Sequence, residues 1–242
     1  MTVQRILSWT PAAIVFDCDG TLMDTECHWQ DARISALRAF GFIPAPGFAE
    51  RAKGLHYTEC GALMAEEAGH PELTAGLTER LLADFRALAE ARPLTMPGAP
   101  QLVEQAARFA PLAVASNCPR EVVEASLSTA GLLHRFGHVV VPDGPDDRDG
   151  IRPKPHPDVY LTAARLCGAD PADTLAVEDS HCGVEAAERA GMRILGVGPW
   201  PGDRTAALVD LWVRSLDEPA VRGWAGARVP AQIARNRPTM NP

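Results

Sequence analysis

The chain has 242 residues, 46% of them hydrophobic and 22% charged, which suits a globular protein built as one large domain or as a domain carrying a smaller insertion. A formal net charge of −8 argues against broad nucleic-acid or anionic-membrane binding, and no apolar run approaches membrane-spanning length. Six cysteines without any C-x-x-C spacing favour free thiols over a disulfide frame or zinc site, and the N-terminus lacks the layout of a cleaved signal peptide, so a cytoplasmic protein is expected.

The first element is the apolar run AIVF at 13–16, followed at once by Asp17 and Asp19 in AIVFDCDGTLMDTE. Two acids at the end of a buried strand need a partner, because an isolated buried carboxylate is costly. A calcium loop does not explain them: Gly20 is the fourth residue counted from Asp17, where such a loop needs glycine sixth, and His28 stands where the bidentate glutamate belongs. A helix N-cap would explain one aspartate at such a place, but not the whole set of polar strand ends described below.

From about residue 27 to residue 92 there is no strand signal, and apolar residues recur at helical spacing in LTERLLADFRALAEA, so this stretch reads as a helical insertion. RPLTMPGAP at 92–100 reads as the return linker, its prolines and glycine stopping the last inserted helix. Further β-rich apolar runs follow as LAVA at 112–115, HVVV at 138–141, TLAV at 174–177 and RILGV at 193–197. Runs apolar on both faces and separated by helix-like stretches predict a doubly wound α/β fold with a parallel sheet. The expected organisation is a core over 1–26 and 93–227, a helical cap over 27–92 and a loosely held tail over 228–242. The acids in PDGPDDRDG at 142–150 read as a solvated turn, and GVG at 196–198 lacks the rest of a dinucleotide fingerprint.

Ligands of open α/β sheets bind at the carboxyl ends of the strands, so the residues that follow each apolar run should converge. Here these are Asp17 and Asp19, Ser116 and Asn117, Lys154 in IRPKPHPD, and Glu178 and Asp179 in VEDSHCG. Asp17 and Asp19 share a face of an extended segment, and Gly20 and Thr21 supply a turn whose backbone N–H groups are available to an anion such as a phosphoryl group. Four carboxylates sum to about −4 if all are ionised, and a phosphate dianion as ligand would take the total to about −6, so positive charge must enter the site. Mg²⁺, suited to all-oxygen ligands, would supply two charges and Lys154 a third.

The motifs DCDGT, SN, KP and EDSHCG, in this order and at these strand ends, resemble the haloacid dehalogenase-like (HAD) hydrolase superfamily over roughly residues 12–200. The resemblance implies a Rossmann-like core in which Asp17 is the nucleophile, forming an aspartyl-phosphate, and Asp19 is the general acid/base. It implies further that Mg²⁺ takes Asp17, the Asp19 carbonyl and Asp179, with Glu178 assisting directly or through water, and that Ser116 holds a phosphoryl oxygen, with Asn117 a further phosphate-site candidate. True dehalogenases of the superfamily do not carry the second aspartate, so Asp19 points to phosphoryl transfer.

The helical insertion resembles the cap of the phosphatase and β-phosphoglucomutase branch, whose capped members act on small phosphorylated molecules. No nucleic acid or membrane is expected as a partner, and the assembly expected is a monomer or homodimer. A mutase would be expected to place a histidine at Trp29 and an arginine near Tyr57, and neither is present, which favours hydrolysis with the mutase as the alternative. KG at 53–54 and SNCP are similar to a bacterial sugar-phosphate phosphatase group that includes a 6-phosphogluconate phosphatase. His28, Trp29, Lys53 and His56 are the cap residues that could meet substrate, Lys53 by pairing with a remote anionic or hydroxylated group. A non-catalytic regulatory protein on the same fold is the reading of another class, and it would be expected to lack Asp17 or Asp19.

Overall fold

The apolar runs become strands because a side chain covered on both faces of a sheet has to be apolar at every position rather than at every second one. In the computed structural model, which describes residues 4–52, 55–91, 94–142 and 150–228, the strands are β1 (Ala13–Phe16), β2 (Leu112–Ala115), β3 (His138–Val140), β4 (Thr174–Glu178), β5 (Arg193–Val197) and β6 (Leu211–Val213). All pairings are parallel and the order is β3-β2-β1-β4-β5-β6. Every residue of β1, β2 and β4 is buried. The expected strands are therefore present, β3 ending one residue earlier than expected, and β6 is additional.

Helices α1 (Gln4–Ser8), α6 (Ala99–Ala106), α7 (Arg120–Thr129), α8 (Asp158–Leu166), α9 (His181–Arg189), α10 (Asp203–Ala206) and α11 (Pro219–Gly226) belong to the sheet-bearing part of the chain. Two buried apolar clusters form, one containing Ile14 and Phe16 and the other Val15, Ala113 and Ala176, as successive β1 side chains alternate between the two faces of the sheet. The expected linker is shorter than its sequence suggests. Ala99 and Pro100 already form the first turn of α6, where proline is tolerated because an N–H there has no intrahelical partner.

Between β1 and α6 the described residues form α2 (Glu26–Ala39), α3 (Phe48–Ala52), α4 (Tyr57–Glu67) and α5 (Thr74–Ala91), with no strand of the sheet among them. On α5 the buried residues Leu77, Leu81, Phe85 and Ala89 fall four apart, a single stripe facing α2 and α4. The Phe85 ring stacks on Trp29 of α2 with 3.8 Å between centroids. The two strands of chain that join this bundle to the sheet run side by side. The Asp24 N–H donates to the Leu94 carbonyl at 2.8 Å and the Met96 N–H to the Leu22 carbonyl at 2.9 Å. Most of the acidic turn at 142–150 and nearly all of the expected tail lie outside the described residues.

Because α5 buries Leu81 completely in this stripe, Leu81→Ala should cost about 2–5 kcal/mol in urea denaturation with an unchanged m-value. A loss below about 1 kcal/mol would contradict the packing described.

Candidate active site

β1 is the strand at which the order reverses: β2 lies on one side of it and β4 on the other, so a crevice opens at their carboxyl ends. Register aligns Phe16 with Val177 and with Val114, which brings Asp17, Glu178 and the segment after Ala115 to one level. The Asp17 N–H donates to the Val177 carbonyl at 2.9 Å and the Ser116 N–H to the Val140 carbonyl at 3.1 Å, continuing the ladders just past the strand ends.

At the centre stands Lys154, 4% exposed, whose Nζ donates to Asp17 Oδ1 and to Glu178 Oε1, both at 2.6 Å. Burial alone would lower the Lys154 ammonium, but the two carboxylates outweigh it and hold the group well above its usual range. Glu178 is fully buried and accepts on both oxygens: from Lys154 and the Tyr160 hydroxyl on Oε1, and from the Asp179 N–H, Ser180 N–H and Ser180 hydroxyl on Oε2. Such saturation is what makes a buried carboxylate tolerable. Gly183 is required beside it, because a Cβ there would overlap the Glu178 carboxylate.

Asp17 is less well served. Its Oδ2 is buried with no hydrogen-bond partner, and burial pushes the carboxyl up to about 7, Lys154 opposing the rise while Glu178 and Asp19 add to it. One ammonium therefore does not balance the acids. Ligand oxygens of Asp17, Glu178 and Asp179 all lie within 4.8 Å of one another. An all-carboxylate set with an unpartnered buried oxygen and a shortfall of positive charge fits a hard divalent cation such as Mg²⁺.

Asp19 accepts from the Thr25 hydroxyl at 2.5 Å. Gly20 adopts φ of 86° and packs so closely on Asp179 that a Cβ would overlap its carboxylate. The Gly20 N–H donates to the Met23 carbonyl at 2.7 Å, so this amide is spent inside the turn rather than left for a phosphoryl oxygen as the sequence suggests. The Thr21 hydroxyl is buried with no hydrogen-bond partner. Ser116 Oγ accepts from the Cys118 N–H at 3.0 Å, which leaves its own proton to donate. Asn117 uses both ends of its amide on the Lys154 backbone, accepting from the N–H at 2.8 Å and donating to the carbonyl at 3.3 Å. It is thereby the residue that positions Lys154.

The cleft is lined from the core by Asp17, Asp19, Ser116, Lys154 and Asp179, and from the inserted segment by Glu26, Trp29, Arg33, Leu55 and Tyr57. Of the cap residues singled out in the sequence, Trp29 is in the cleft and Lys53 lies outside the described residues. His28 is buried and is not part of the cleft lining. His56 caps α4 instead: its Nδ1 accepts from the Thr58 N–H at 3.4 Å, and Glu59 accepts from the His56 N–H at 3.2 Å. Sequence reasoning missed Glu26 and Arg33. A charged residue seven positions after Glu26 and four after Trp29, on the buried side of α2, is the signal that marks Arg33.

The family described as haloacid dehalogenase-like hydrolase matches residues 11–191. A protein of Drosophila melanogaster named "Probable pseudouridine-5'-phosphatase" is 33% identical over 189 residues, covering 76% of this chain and 80% of that protein. The 6-phosphogluconate phosphatase of Escherichia coli K12 is 29% identical over 186 residues, covering 75% and 80% respectively. The crystal structure of β-phosphoglucomutase from Clostridium difficile superimposes with a TM-score of 0.74 at 19% identity, over 93% of this chain and all of that one, a likeness of fold.

Gly183→Ala should displace the Glu178 carboxylate and break its bond to Lys154, leaving buried charge unpaired. We expect a loss of about 3–5 kcal/mol in urea denaturation, and a substitution that cost nothing would contradict the packing around Glu178.

Proposed function

The chain belongs to the haloacid dehalogenase-like hydrolase family and is a phosphoric monoester hydrolase, and from this premise we propose that it cleaves a small phosphorylated metabolite, a sugar phosphate or sugar-acid phosphate, through an aspartyl-phosphate on Asp17. The observation that carries the reading is the Asp17 carboxylate itself: buried, oriented through one oxygen by Lys154, and with its other oxygen lacking any hydrogen-bond partner. The 6-phosphogluconate activity of the relative from Escherichia coli makes that ester one of the candidates.

In the first step an Asp17 oxygen attacks phosphorus, the bond from phosphorus to the leaving oxygen breaks, and Asp19 passes its proton to that oxygen. In the second step Asp19 takes a proton from water as the water attacks phosphorus, which releases inorganic phosphate and restores Asp17. The Thr25 hydroxyl donates to Asp19 Oδ1 and orients it for this exchange. Ser116 donates to a phosphoryl oxygen and Lys154 offsets negative charge throughout. Asp17, the Asp19 carbonyl and Asp179 would hold Mg²⁺, with Glu178 acting through water because both of its oxygens are engaged. When bound, the ion supplies electrostatic stabilisation of the phosphoryl charge. The helices α2–α5 act as a cap that excludes water and sets specificity. The six free cysteines support a reducing, cytoplasmic setting, and no helix among the described residues is long and apolar enough to cross a membrane.

A phosphate-release panel of sugar, sugar-acid, polyol and nucleoside monophosphates tests the reading. Activity should fall away on exhaustive chelation and return with Mg²⁺, whereas full activity without metal would reject the cation site. Asp19→Asn should slow turnover by about 10²-fold or more with substrate affinity retained. Asp17→Asn should yield no acid-stable phospho-enzyme after rapid quench, and normal labelling of that variant would reject Asp17 as the nucleophile.

A further inference from the structure

The geometry of the cap side points to what the leaving group must look like, an inference that rests on the phosphatase reading above. Thr25 Oγ1 lies 2.5 Å from Asp19 Oδ1, so the first turn of α2 is fastened to the residue that protonates the leaving oxygen. The next residue, Glu26, lines the same cleft with its side chain 42% exposed. Glu26, Trp29 and Arg33 stand at i, i+3 and i+7 and so share one face of α2.

Arg33 is only 5% exposed in its side chain and is ion-paired with Glu26. Its Nη1 lies 3.5 Å from Glu26 Oε1, its Nη2 donates to the Ala52 carbonyl at the end of α3 at 3.2 Å, and its guanidinium lies 5.8 Å from the Trp29 ring centroid. Its Nε and Nη1 are shut off from solvent and have no hydrogen-bond partner, so Nη1 meets Glu26 through the ion pair alone. The other cation at the cleft, Lys154, is enclosed between Asp17 and Glu178. Among the described residues, the ionic group offered to the distal part of a substrate is therefore the Glu26 carboxylate, steadied by Arg33. Trp29 and Tyr57 line the same cleft.

A carboxylate so placed accepts hydrogen bonds from hydroxyl groups and repels a second anion. Aromatic side chains in the cleft suit the C–H surface of a sugar or polyol. We infer that Glu26, held by the positioning residue Arg33, selects phosphate monoesters whose leaving group is uncharged and polyhydroxylated, against those carrying a carboxylate or a second phosphoryl group.

D-glucitol 6-phosphate and 6-phosphogluconate test this directly, since they differ only in whether the far carbon is a hydroxymethyl or a carboxylate. The wild-type kcat/KM should favour the neutral ester by about tenfold or more, and Glu26→Gln should bring the ratio to within about threefold of unity. Arg33→Met should narrow the ratio as well, chiefly by raising KM for the neutral ester. A wild-type preference for 6-phosphogluconate would overturn the inference without any variant being needed. So would a Glu26→Gln enzyme with the wild-type ratio and a urea denaturation midpoint close to that of the wild type. Failure of the wild type to hydrolyse any ester, p-nitrophenyl phosphate included, would instead overturn the phosphatase reading and the inference with it.

Discussion

The structure turns on one buried ammonium shared by two buried carboxylates. Removing three charges from water is expensive, and such an arrangement persists only where the remaining lone pairs are satisfied. Here they are satisfied on one side and not on the other. Glu178 is saturated by the hydroxyls of Tyr160 and Ser180 and by two backbone N–H groups, and it serves as a fixed counter-charge to Lys154. Asp17 receives Lys154 on one oxygen and nothing on the other. The asymmetry leaves one carboxylate structurally anchored and the other with an oxygen uncommitted to any hydrogen bond.

Much else follows from holding that chain of charges in register. Lys154 sits on a connection after β3, far from Asp17 in sequence, and Asn117 takes hold of its backbone from the loop after β2. Gly183 must lack a side chain for α9 to approach Glu178, and Gly20 must lack one for the first turn to approach Asp179. The parallel sheet makes this convergence possible, because β2, β1 and β4 are neighbours that all end on the same side. The inserted helices are coupled to the same point through the Thr25 bond to Asp19 and through the paired connecting segments around Leu22 and Leu94. A shift of the inserted helices would therefore be felt at the proposed acid/base.

Most of the sheet was legible in the sequence, since a strand covered on both faces has to be apolar throughout and AIVF, LAVA, TLAV and RILGV have no other economical reading. The edge strand β6 was not, because Leu211 and Trp212 are only partly buried and three residues carry no usable period. The polar residues at the strand ends were legible as a set through their order and the family they resemble. Their individual duties were less so: that the Gly20 amide closes its own turn and that Asn117 serves the Lys154 backbone are consequences of three-dimensional approach. The side of the cleft formed by the inserted helices was the least legible part. Glu26 and Arg33 look like ordinary surface charges in a helix until packing buries Arg33 and fastens the helix start to Asp19.

The central claim is that Asp17, and not water, attacks phosphorus first. Its most direct test is the stereochemical course at phosphorus, followed with a phosphorothioate ester made chiral by oxygen isotopes and hydrolysed in labelled water. Two successive displacements, each inverting, predict overall retention of configuration. Overall inversion would mean a single in-line attack by water, and would contradict the role assigned to Asp17.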